Sequence, residues 1–484
     1  MPPLRLHLAA PPGHGAALAA IRAELGVPDA FPPAVEAAAT AAVERGADRS
    51  GDTAARAGRR DRRDLELVTV DPPGSRDLDQ AYGAVQRGSG YRVHYAIADV
   101  GAFVVAGDAL DQESRARGVT LYSPDRRAPL YPPALSEGAA SLLPGVDRPA
   151  VLWTLDLDQR GALADVGVER ATVRSRRQLD YRTVQATVDD GSATPSLQLL
   201  REVGQLRLER ERDRGGVSLP LPAQEVVVGR DGALDLRFDG PLPVERWNEQ
   251  VSLLTGMAAA QLMLEGRIGL LRTLPPAPPE VFTGLRASAA ALGVPWPGGR
   301  SYPDFVRSLD ARRPSHAAVL AQAARTLRGA SYTAFDGPVP DQPLHGAIAA
   351  PYAHVTAPLR RLADRFANEV VLALAESREP PEWALAALPA LPATMDAAHQ
   401  RQRALERAII DFVETVLLGP RVGEVFDAVV TTAAEGRATV QLLAPAVLAR
   451  VDDPRLEAGA TVRLRLDAAD PGARRLTFSL VEGR

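Results

Sequence analysis

The segment that decides the fold of this chain is LELVTVDPPGSRDLDQA, residues 65–81. It opens with a β-rich run that ends at Asp71, where two prolines and a glycine exclude a helix and predict a turn. Asp77 and Asp79 follow with one residue between them, so in an extended backbone their side chains point to the same side. The segment therefore predicts a strand that leads into a loop with three carboxylates.

Two interpretations of this loop are open from its own residues. Crowded carboxylates raise one another's pKa, and a bound cation relieves their repulsion. Oxygen ligands in a chain without cysteine favour Mg²⁺ or Mn²⁺ over zinc, and Gln80 adds a carbonyl oxygen beside Asp79. The alternative is a solvated turn, since Asp and Gly favour turns for local reasons.

The composition narrows the class of protein. A length of 484 residues is too great for one ordinary core, so we expect two to four domains. No apolar run approaches the length of a membrane-spanning helix, and the N-terminus lacks a secretory pattern. The absence of cysteine excludes disulfides and thiol chemistry. All 56 basic residues are arginine, and the net charge is −4. The overall charge therefore does not indicate that the protein binds a polyanion such as nucleic acid. We expect a cytoplasmic protein without membrane contact.

The chain divides into three parts with different patterns. Residues 1–64 are Ala-rich and predict short helices over 16–25, 34–45 and 53–57, typical of a helix-turn-helix-like module. Residues 65–420 predict a mixed α/β domain, with strands over 91–97, 151–157 and 166–175 and mainly helices over 176–410, notably 197–212, 244–264 and 395–418, with a break at 275–279. Five arginines lie near the junction of the first two parts: Arg56, Arg59, Arg60, Arg62 and Arg63. They either contact phosphates or form a solvated linker face, and both interpretations stay open.

The C-terminal part, residues 421–484, predicts a five-stranded barrel. Its short strands are expected at 426–430, 438–442, 447–451, 461–466 and 475–480, separated by Gly and Asp-Pro turns. Five strands in this arrangement fit an OB fold, which commonly binds single-stranded nucleic acid. The predicted fold class is therefore α+β multidomain, with a helical module, a mixed α/β domain and an OB-fold β-barrel.

Four segments, taken together and in this order, resemble the ribonuclease II, or RNB-domain, family of exoribonucleases. They are VDPPGSRDLDQA (70–81), LYSPDRRAPLYPPALSEGAASLLPG (121–145), ERDRGGVSLPLPAQEVVV (211–228) and YAHVTAPLRRLADRF (352–366). The resemblance implies an RNB catalytic domain over residues 65–420. It also implies metal-dependent, processive 3′→5′ hydrolysis of single-stranded RNA to nucleoside 5′-monophosphates.

The resemblance also implies roles for individual residues. The loop carboxylates Asp71, Asp77 and Asp79 match three of the four that are catalytic and hold Mg²⁺ or Mn²⁺ in the family, and Gln80 stands at the fourth ligand position, where the family has Asp. Three further residues match RNA contacts: Arg360, the catalytic arginine on the phosphate near the cleaved bond, its neighbour Arg361, and Tyr122, which stacks on the 3′-terminal base.

The departures from the family leave alternatives. Because Gln80 removes a charged ligand, a catalytically impaired RNA-binding protein with the same fold is the second hypothesis. A Mg²⁺-dependent phosphohydrolase with an Asp nucleophile is the third. Family members commonly carry two cold-shock domains before the catalytic domain, whereas here the preceding 64 residues are predicted helical. In the family, RNA enters the catalytic domain through a channel, and without cold-shock domains the mouth of that channel should be more open. Such a mouth would admit structured RNA with a 3′ overhang. We expect the protein to be a monomer.

Overall fold

The computed structural model describes residues 4–6, 13–47, 58–219, 223–228, 234–311, 313–434, 436–445 and 447–481. The predicted helix over 53–57 lies outside these ranges. The described helices are α1 (Gly15–Glu24), α2 (Pro33–Arg45), α3 (Ala109–Arg117), α4 (Tyr181–Asp189), α5 (Pro195–Asp213), α6 (Pro243–Gly266), α7 (Pro279–Ala291), α8 (Tyr302–Arg307), α9 (Pro314–Ala323), α10 (Leu362–Ala375), α11 (Glu382–Ala387) and α12 (Leu391–Leu418).

The described strands are distributed over all three parts of the chain. They are β1 (Leu4–Leu6), β2 (Arg60–Asp61), β3 (Leu67–Asp71), β4 (Gln80–Arg87), β5 (Gly90–Ala98), β6 (Leu121–Tyr122), β7 (Arg127–Ala128), β8 (Asp147–Leu157), β9 (Leu163–Asp180), β10 (Ala223–Val228), β11 (Leu234–Asp239), β12 (Ile268–Thr273), β13 (Ser331–Asp336), β14 (Leu344–His345), β15 (Ala350–Pro351), β16 (Val425–Ala434), β17 (Arg437–Leu442), β18 (Leu448–Asp452), β19 (Thr461–Asp470) and β20 (Arg475–Leu480).

The central domain is built around a sheet with the strand order β2-β9-β3-β4-β5-β8. β8 also pairs with the long strand β9, so the strands from β9 round to β8 close into a ring. β3 is parallel to β9 and pairs with β4 through Val68 and Tyr82. Because β3 and β4 diverge beyond this pair, the predicted carboxylate loop leaves the rim of the ring between them.

The interior of the ring shows why one prediction is wrong. The alternation over 91–97 predicts a half-buried strand, yet eight of the nine β5 residues are buried. One face of β5 lies inside the ring and the other is also covered, so both exclude water. Tyr95 and Trp153, which are register partners on β5 and β8, are 1% and 0% exposed.

The helix α10 lies in the centre of this domain. Every residue from Leu362 to Ala373 is buried, as expected of a helix that other elements surround. Phe366 packs edge-on against Trp383, with ring centroids 5.5 Å apart. The buried Glu369 is paired with Arg170 at 2.6 Å, which offsets the cost of its desolvation. Replacing Phe366 with Ala would cost roughly 3–5 kcal/mol, because the site cannot collapse fully.

The region over 176–410, predicted to be mainly helical, contains the predicted long helices and also strands that the prediction did not include. α5, α6 and α12 cover the predicted ranges 197–212, 244–264 and 395–418. β10 and β11 form an antiparallel pair, as do β12 and β13. Short apolar runs fit a helix or a strand equally well, and pairing decides between them.

Three short helices, α7 to α9, are inserted between β12 and β13. This insert, residues 279–327, has its own small core, in which Phe305 and Val306 are fully buried. It also contacts the C-terminal part of the chain, where Gln322 Nε2 donates to Thr431 O at 3.3 Å. The break predicted at 275–279 thus marks the entry into the insert.

The C-terminal strands form a barrel in the order β18-β17-β16-β19-β20, with every neighbouring pair antiparallel. β18 and β20 also contact each other, so the barrel is nearly closed. The five strands predicted for this part are confirmed. With the N-terminal helices and the mixed α/β domain, they confirm the predicted fold class.

The N-terminal helices α1 and α2 match the predicted ranges 16–25 and 34–45. They pack on α12 and α3 respectively. Arg117 joins them to the central domain: its Nη2 donates to Ala30 O at 2.8 Å, and its guanidinium lies 3.7 Å above the ring of Phe31. Among the described helices, none is long and apolar enough to cross a membrane.

Candidate active site

The loop between β3 and β4 is held in place by other segments. Leu78 N donates to Ser141 Oγ at 3.0 Å, and Leu142 N donates back to Leu78 O at 3.0 Å. At the end of the loop, Asp79 O accepts from Ala98 N at 2.9 Å. The Pro-rich stretch that ends near residue 143 therefore holds the carboxylate loop in place.

Asp79 connects this loop to the arginine segment far along the chain. Its Oδ1 accepts from Leu359 N at 2.8 Å, and its Oδ2 faces Arg360 Nε at 3.1 Å. Only 3% of Asp79 is exposed. Burial raises the pKa of Asp79 to about 7, although Arg360 and the Leu359 N–H act in the opposite direction. The loop thus holds a carboxyl group whose pKa lies near neutral pH.

Asp77 has partners on both of its carboxylate oxygens. Oδ1 lies 2.7 Å from Arg127 Nη1, and Oδ2 accepts from Tyr122 OH at 3.3 Å. Tyr122 and Arg127 are register partners in the β6–β7 pair. Arg127 Nη2 also contacts Glu137 Oε1 at 2.7 Å. This short hairpin brings the predicted base-stacking tyrosine to the carboxylates.

Asp71 lies at the end of β3, opposite Asp180 of β9. Its Oδ2 is buried and has no hydrogen-bond partner among the described residues. Burial raises the pKa of Asp71 to about 7; Arg360 lowers it and Asp77 raises it further. An unpartnered buried carboxylate oxygen is costly unless a proton or a cation completes it.

Gln80 makes two hydrogen bonds with its side chain. Nε2 donates to Thr356 O at 2.6 Å, and Oε1 accepts from Tyr95 OH at 2.5 Å. The amide therefore links the start of β4 both to β5 and to the segment before Arg360. Its one carbonyl oxygen, the predicted metal ligand, already accepts a hydrogen bond from a phenol.

The two predicted arginines have different surroundings. The side chain of Arg360 is 50% exposed and uses Nε for Asp79, so its guanidinium is accessible to a phosphate. Arg361 instead forms a bidentate ion pair with Asp364, whose Oδ1 also accepts from Ala357 N at 2.7 Å. Its planar fork is thus taken up within the protein, and it holds the 357–361 loop.

The resemblance implies a divalent cation, and the donor atoms of the loop show whether such an ion fits. The loop offers carboxylate oxygens, which suit Mg²⁺ or Mn²⁺. Asp71 Oδ2 is buried without a partner, and the pKa values of Asp71 and Asp79 are both raised. Within the described residues, no three His, Cys, Asp or Glu side chains converge into a ready metal cluster. The oxygen donors and the raised pKa values fit a cation, and Asp71 Oδ2 is the open position, whereas both oxygens of Asp77 and of Asp79 already contact protein groups.

Several residues of the site escape sequence reasoning. They are Tyr95, Arg127, Ser141, Thr356 and Asp364. Arg127 and Ser141 lie in the irregular stretch whose composition marks a functional loop, but nothing in that stretch singles them out. The others act through contacts between segments that are distant in sequence.

This fold and this site define the class of the protein. The RNB domain matches residues 59–376, and the RNase II-type exonuclease C-terminal S1 domain matches residues 424–481. Since the first match covers more than half of the chain, the chain belongs to the RNB-domain family.

Within this family, the chain is similar to Ribonuclease R proteins. It is 30% identical to Ribonuclease R of Escherichia coli (strain K12) over 327 residues, which cover 64% of this chain and 39% of that protein. The Vibrio cholerae protein of the same name is 28% identical over 353 residues, 68% of this chain and 42% of its own length. The chain thus spans about two fifths of the curated relatives it matches.

Solved structures show the same fold. Mycoplasma genitalium RNase R in complex with ribose methylated single-stranded RNA gives a TM-score of 0.85 at 20% identity, covering 96% of this chain and 78% of that chain. Yeast Ssd1, a pseudonuclease, gives a TM-score of 0.66 at 16% identity, with coverages of 89% and 54%. The fold is therefore shared by a nuclease and a pseudonuclease, so function has to be argued from the site.

Proposed function

We propose that this chain is a hydrolytic 3′→5′ exoribonuclease that acts on single-stranded RNA. One observation carries the proposal: Asp79 and Arg360, 281 residues apart in sequence, meet at 3.1 Å beside Asp71, Asp77 and Tyr122. Carboxylates, an accessible guanidinium and an aromatic ring suit phosphodiester hydrolysis at a strand end, because they stabilise developing charge and hold the terminal base. Membership in the RNB-domain family supports the same conclusion.

The arginine and the tyrosine position the substrate. Arg360 is held by Asp79 through Nε and is half exposed, so the remaining guanidinium N–H groups are directed to the scissile phosphate. The ring of Tyr122, anchored by its hydroxyl on Asp77, stacks on the 3′-terminal base. Such stacking contributes about 1–3 kcal/mol and tolerates any base.

The carboxylates would hold Mg²⁺, or Mn²⁺, through Asp71, Asp77 and Asp79. When bound, the cation supplies an activated water and stabilises the leaving 3′-oxygen. The products are nucleoside 5′-monophosphates, released processively. In this proposal the Gln80 side chain connects the loop to the segment around Thr356. Its carbonyl oxygen is the only atom of the side chain that could act as a ligand of the cation.

Substrate and context complete the proposal. Single-stranded RNA and structured RNA with a 3′ overhang are the substrates. The protein acts as a monomer in the cytoplasm. The proposed domains are residues 1–64, 65–420 and 421–484, with β2 at the end of the first range pairing with β9 of the second.

The test is an assay with 5′-labelled oligoadenylate in the presence of EDTA, Mg²⁺ or Mn²⁺. We expect a ladder that shortens from the 3′ end, needs a cation, and yields AMP identified by mass spectrometry. Asp79→Asn serves as the inactive control, and a DNA strand of the same sequence tests ribose preference. Binding without shortening in every metal would overturn the proposal in favour of an RNA-binding protein. Turnover of a small phosphate ester alone would favour the phosphohydrolase.

A further inference from the structure

The helical insert, residues 279–327, carries a surface pocket that shares no residue with the carboxylate site. Its volume is about 430 Å³, which lies within the range of about 300–1,000 Å³ found for small-ligand sites. Three aromatic rings and two arginines dominate the lining: Phe282, Trp296, Tyr302, Arg286 and Arg300. The proposed hydrolysis uses none of these residues.

A stack of side chains runs from the core of the insert to the solvent. Trp296 and the fully buried Phe305 are parallel within 3°, with ring centroids 4.1 Å apart. The guanidinium carbon of Arg286 lies 3.9 Å from the centroid of the same indole. It must occupy the opposite face, because Phe305 already covers the inner one. Arg286 is exposed, so the stack ends in a guanidinium that faces solvent.

The remaining rings form a fixed wall beside this stack. Tyr302 makes an edge contact with Phe282 at 5.1 Å and lies 6.0 Å from Trp296. The polar atoms of the rings are bonded within the insert, because Trp296 Nε1 donates to Arg300 O at 2.9 Å and Tyr302 OH lies 2.8 Å from Thr326 Oγ1. The pocket therefore presents ring surfaces that are held in place before any ligand arrives.

The charge of the insert identifies the kind of ligand. Residues 279–327 contain six arginines and three acidic residues, a net charge of +3, whereas the whole chain carries −4. No acidic side chain is among those that line the pocket. A cationic rim around aromatic rings suits a group that combines a flat ring with a phosphate.

We propose that this pocket binds one base of a single-stranded RNA. The base stacks on the outer face of the Arg286 guanidinium, against the wall of Tyr302 and Phe282, and Arg300 at the rim contacts the adjacent phosphate. The insert also touches the C-terminal barrel through Gln322 and Thr431, so a strand held here lies beside a second fold that commonly binds single strands. This site goes beyond the proposed hydrolysis, which needs only the carboxylate loop and its arginine.

Three variants separate stacking from charge. Arg286→Ala removes the guanidinium, and Arg286→Lys keeps the charge but loses the planar face. Arg325→Ala is the matched control, because Arg325 is an exposed arginine of the same insert that does not line the pocket. The affinity of a labelled oligoadenylate of about 20 nucleotides is measured by fluorescence anisotropy in EDTA, where no hydrolysis occurs. Arg286→Ala and Arg286→Lys should both bind at least about fivefold more weakly than Arg325→Ala.

Photo-crosslinking locates the contact independently. RNA with 4-thiouridine should crosslink to a peptide from residues 279–302 in the native protein and lose that crosslink in Arg286→Ala. Equal affinities of Arg286→Ala and Arg325→Ala, full affinity in Arg286→Lys, or no crosslink in this range would each overturn the proposal. Hydrolysis of a short RNA by Arg286→Ala at the native rate would show that the proposed exoribonuclease function stands even if the pocket does not bind RNA.

Discussion

Replacing Asp79 with Asn should stabilise the metal-free protein while it abolishes hydrolysis. Burial raises the pKa of Asp79 from 3.8 to about 7. A shift of about three units corresponds to roughly 4 kcal/mol that the ionised carboxylate costs the folded state at high pH. Asn removes this charge and keeps an oxygen for Leu359 N. The shift already includes the attraction of Arg360, so this contact is not subtracted again and the net gain is roughly 4 kcal/mol.

The difference in stability between Asp79→Asn and the native protein should depend on pH. Because the pKa of Asp79 is raised on folding, the stability due to its protonated form is fully present below about pH 4 and is lost as the pH rises to about 7. The stability of Asp79→Asn relative to the native protein should therefore grow between these two values and stay constant above pH 7. Added Mg²⁺ should stabilise the native protein more than the variant, since the cation neutralises the carboxylate.

The assay is urea unfolding in EDTA at several pH values, followed by tryptophan fluorescence, to which Trp153 in the buried ring contributes. Asp341→Asn, at an exposed aspartate, is the control and should shift nothing. A variant that is less stable than the native protein at pH 8, or a difference that does not change with pH, would refute the reasoning that burial sets the state of Asp79.

Three further predictions test neighbouring parts of the site. Gln80→Asp should destabilise the metal-free protein by about 1–3 kcal/mol, because Thr356 O loses its donor and faces a carboxylate; urea unfolding in EDTA measures this, and an unchanged midpoint would contradict it. Tyr122→Ala should lengthen the final product and weaken 3′-end binding by about 1–3 kcal/mol, whereas Tyr122→Phe keeps the stacking ring and the native product length on a sequencing gel. Arg361→Lys breaks the bidentate pair with Asp364 and should lower kcat more than it changes KM, since it displaces the 357–361 loop; an unchanged kcat would remove the positioning role.

The parts of the fold that follow from local pattern are those that the sequence predicts well. The β-rich run before Asp71, the Pro-Pro-Gly turn and the long helices each depend on residues close together in the chain. The β10–β11 and β12–β13 pairs depend on which short strand finds which partner. Nothing in a single apolar run encodes that choice, so these pairs are not predictable from local pattern.

The candidate site divides in the same way. The spacing of Asp77 and Asp79 marks the carboxylate loop, and the resemblance adds Arg360 from a distant segment. The position of Arg127 against Asp77 follows only from the β6–β7 register. The buried state of Asp71 Oδ2 depends on how the ring closes around it. Sequence reasoning therefore identifies the reactive groups but not the contacts that set their charge.

Gln80 shows how this distinction changes the interpretation of a missing ligand. From the sequence it is a lost carboxylate, which weakens a metal site. In the fold its amide donates to Thr356 O and accepts from Tyr95 OH, and the first of these bonds needs an N–H that Asp does not have. Together with the bond from Leu359 N to Asp79, it ties the loop to the arginine segment through protein groups. The loop and the arginine segment are thus joined by these hydrogen bonds and by the Asp79–Arg360 ion pair, and the cation that we propose would complete Asp71.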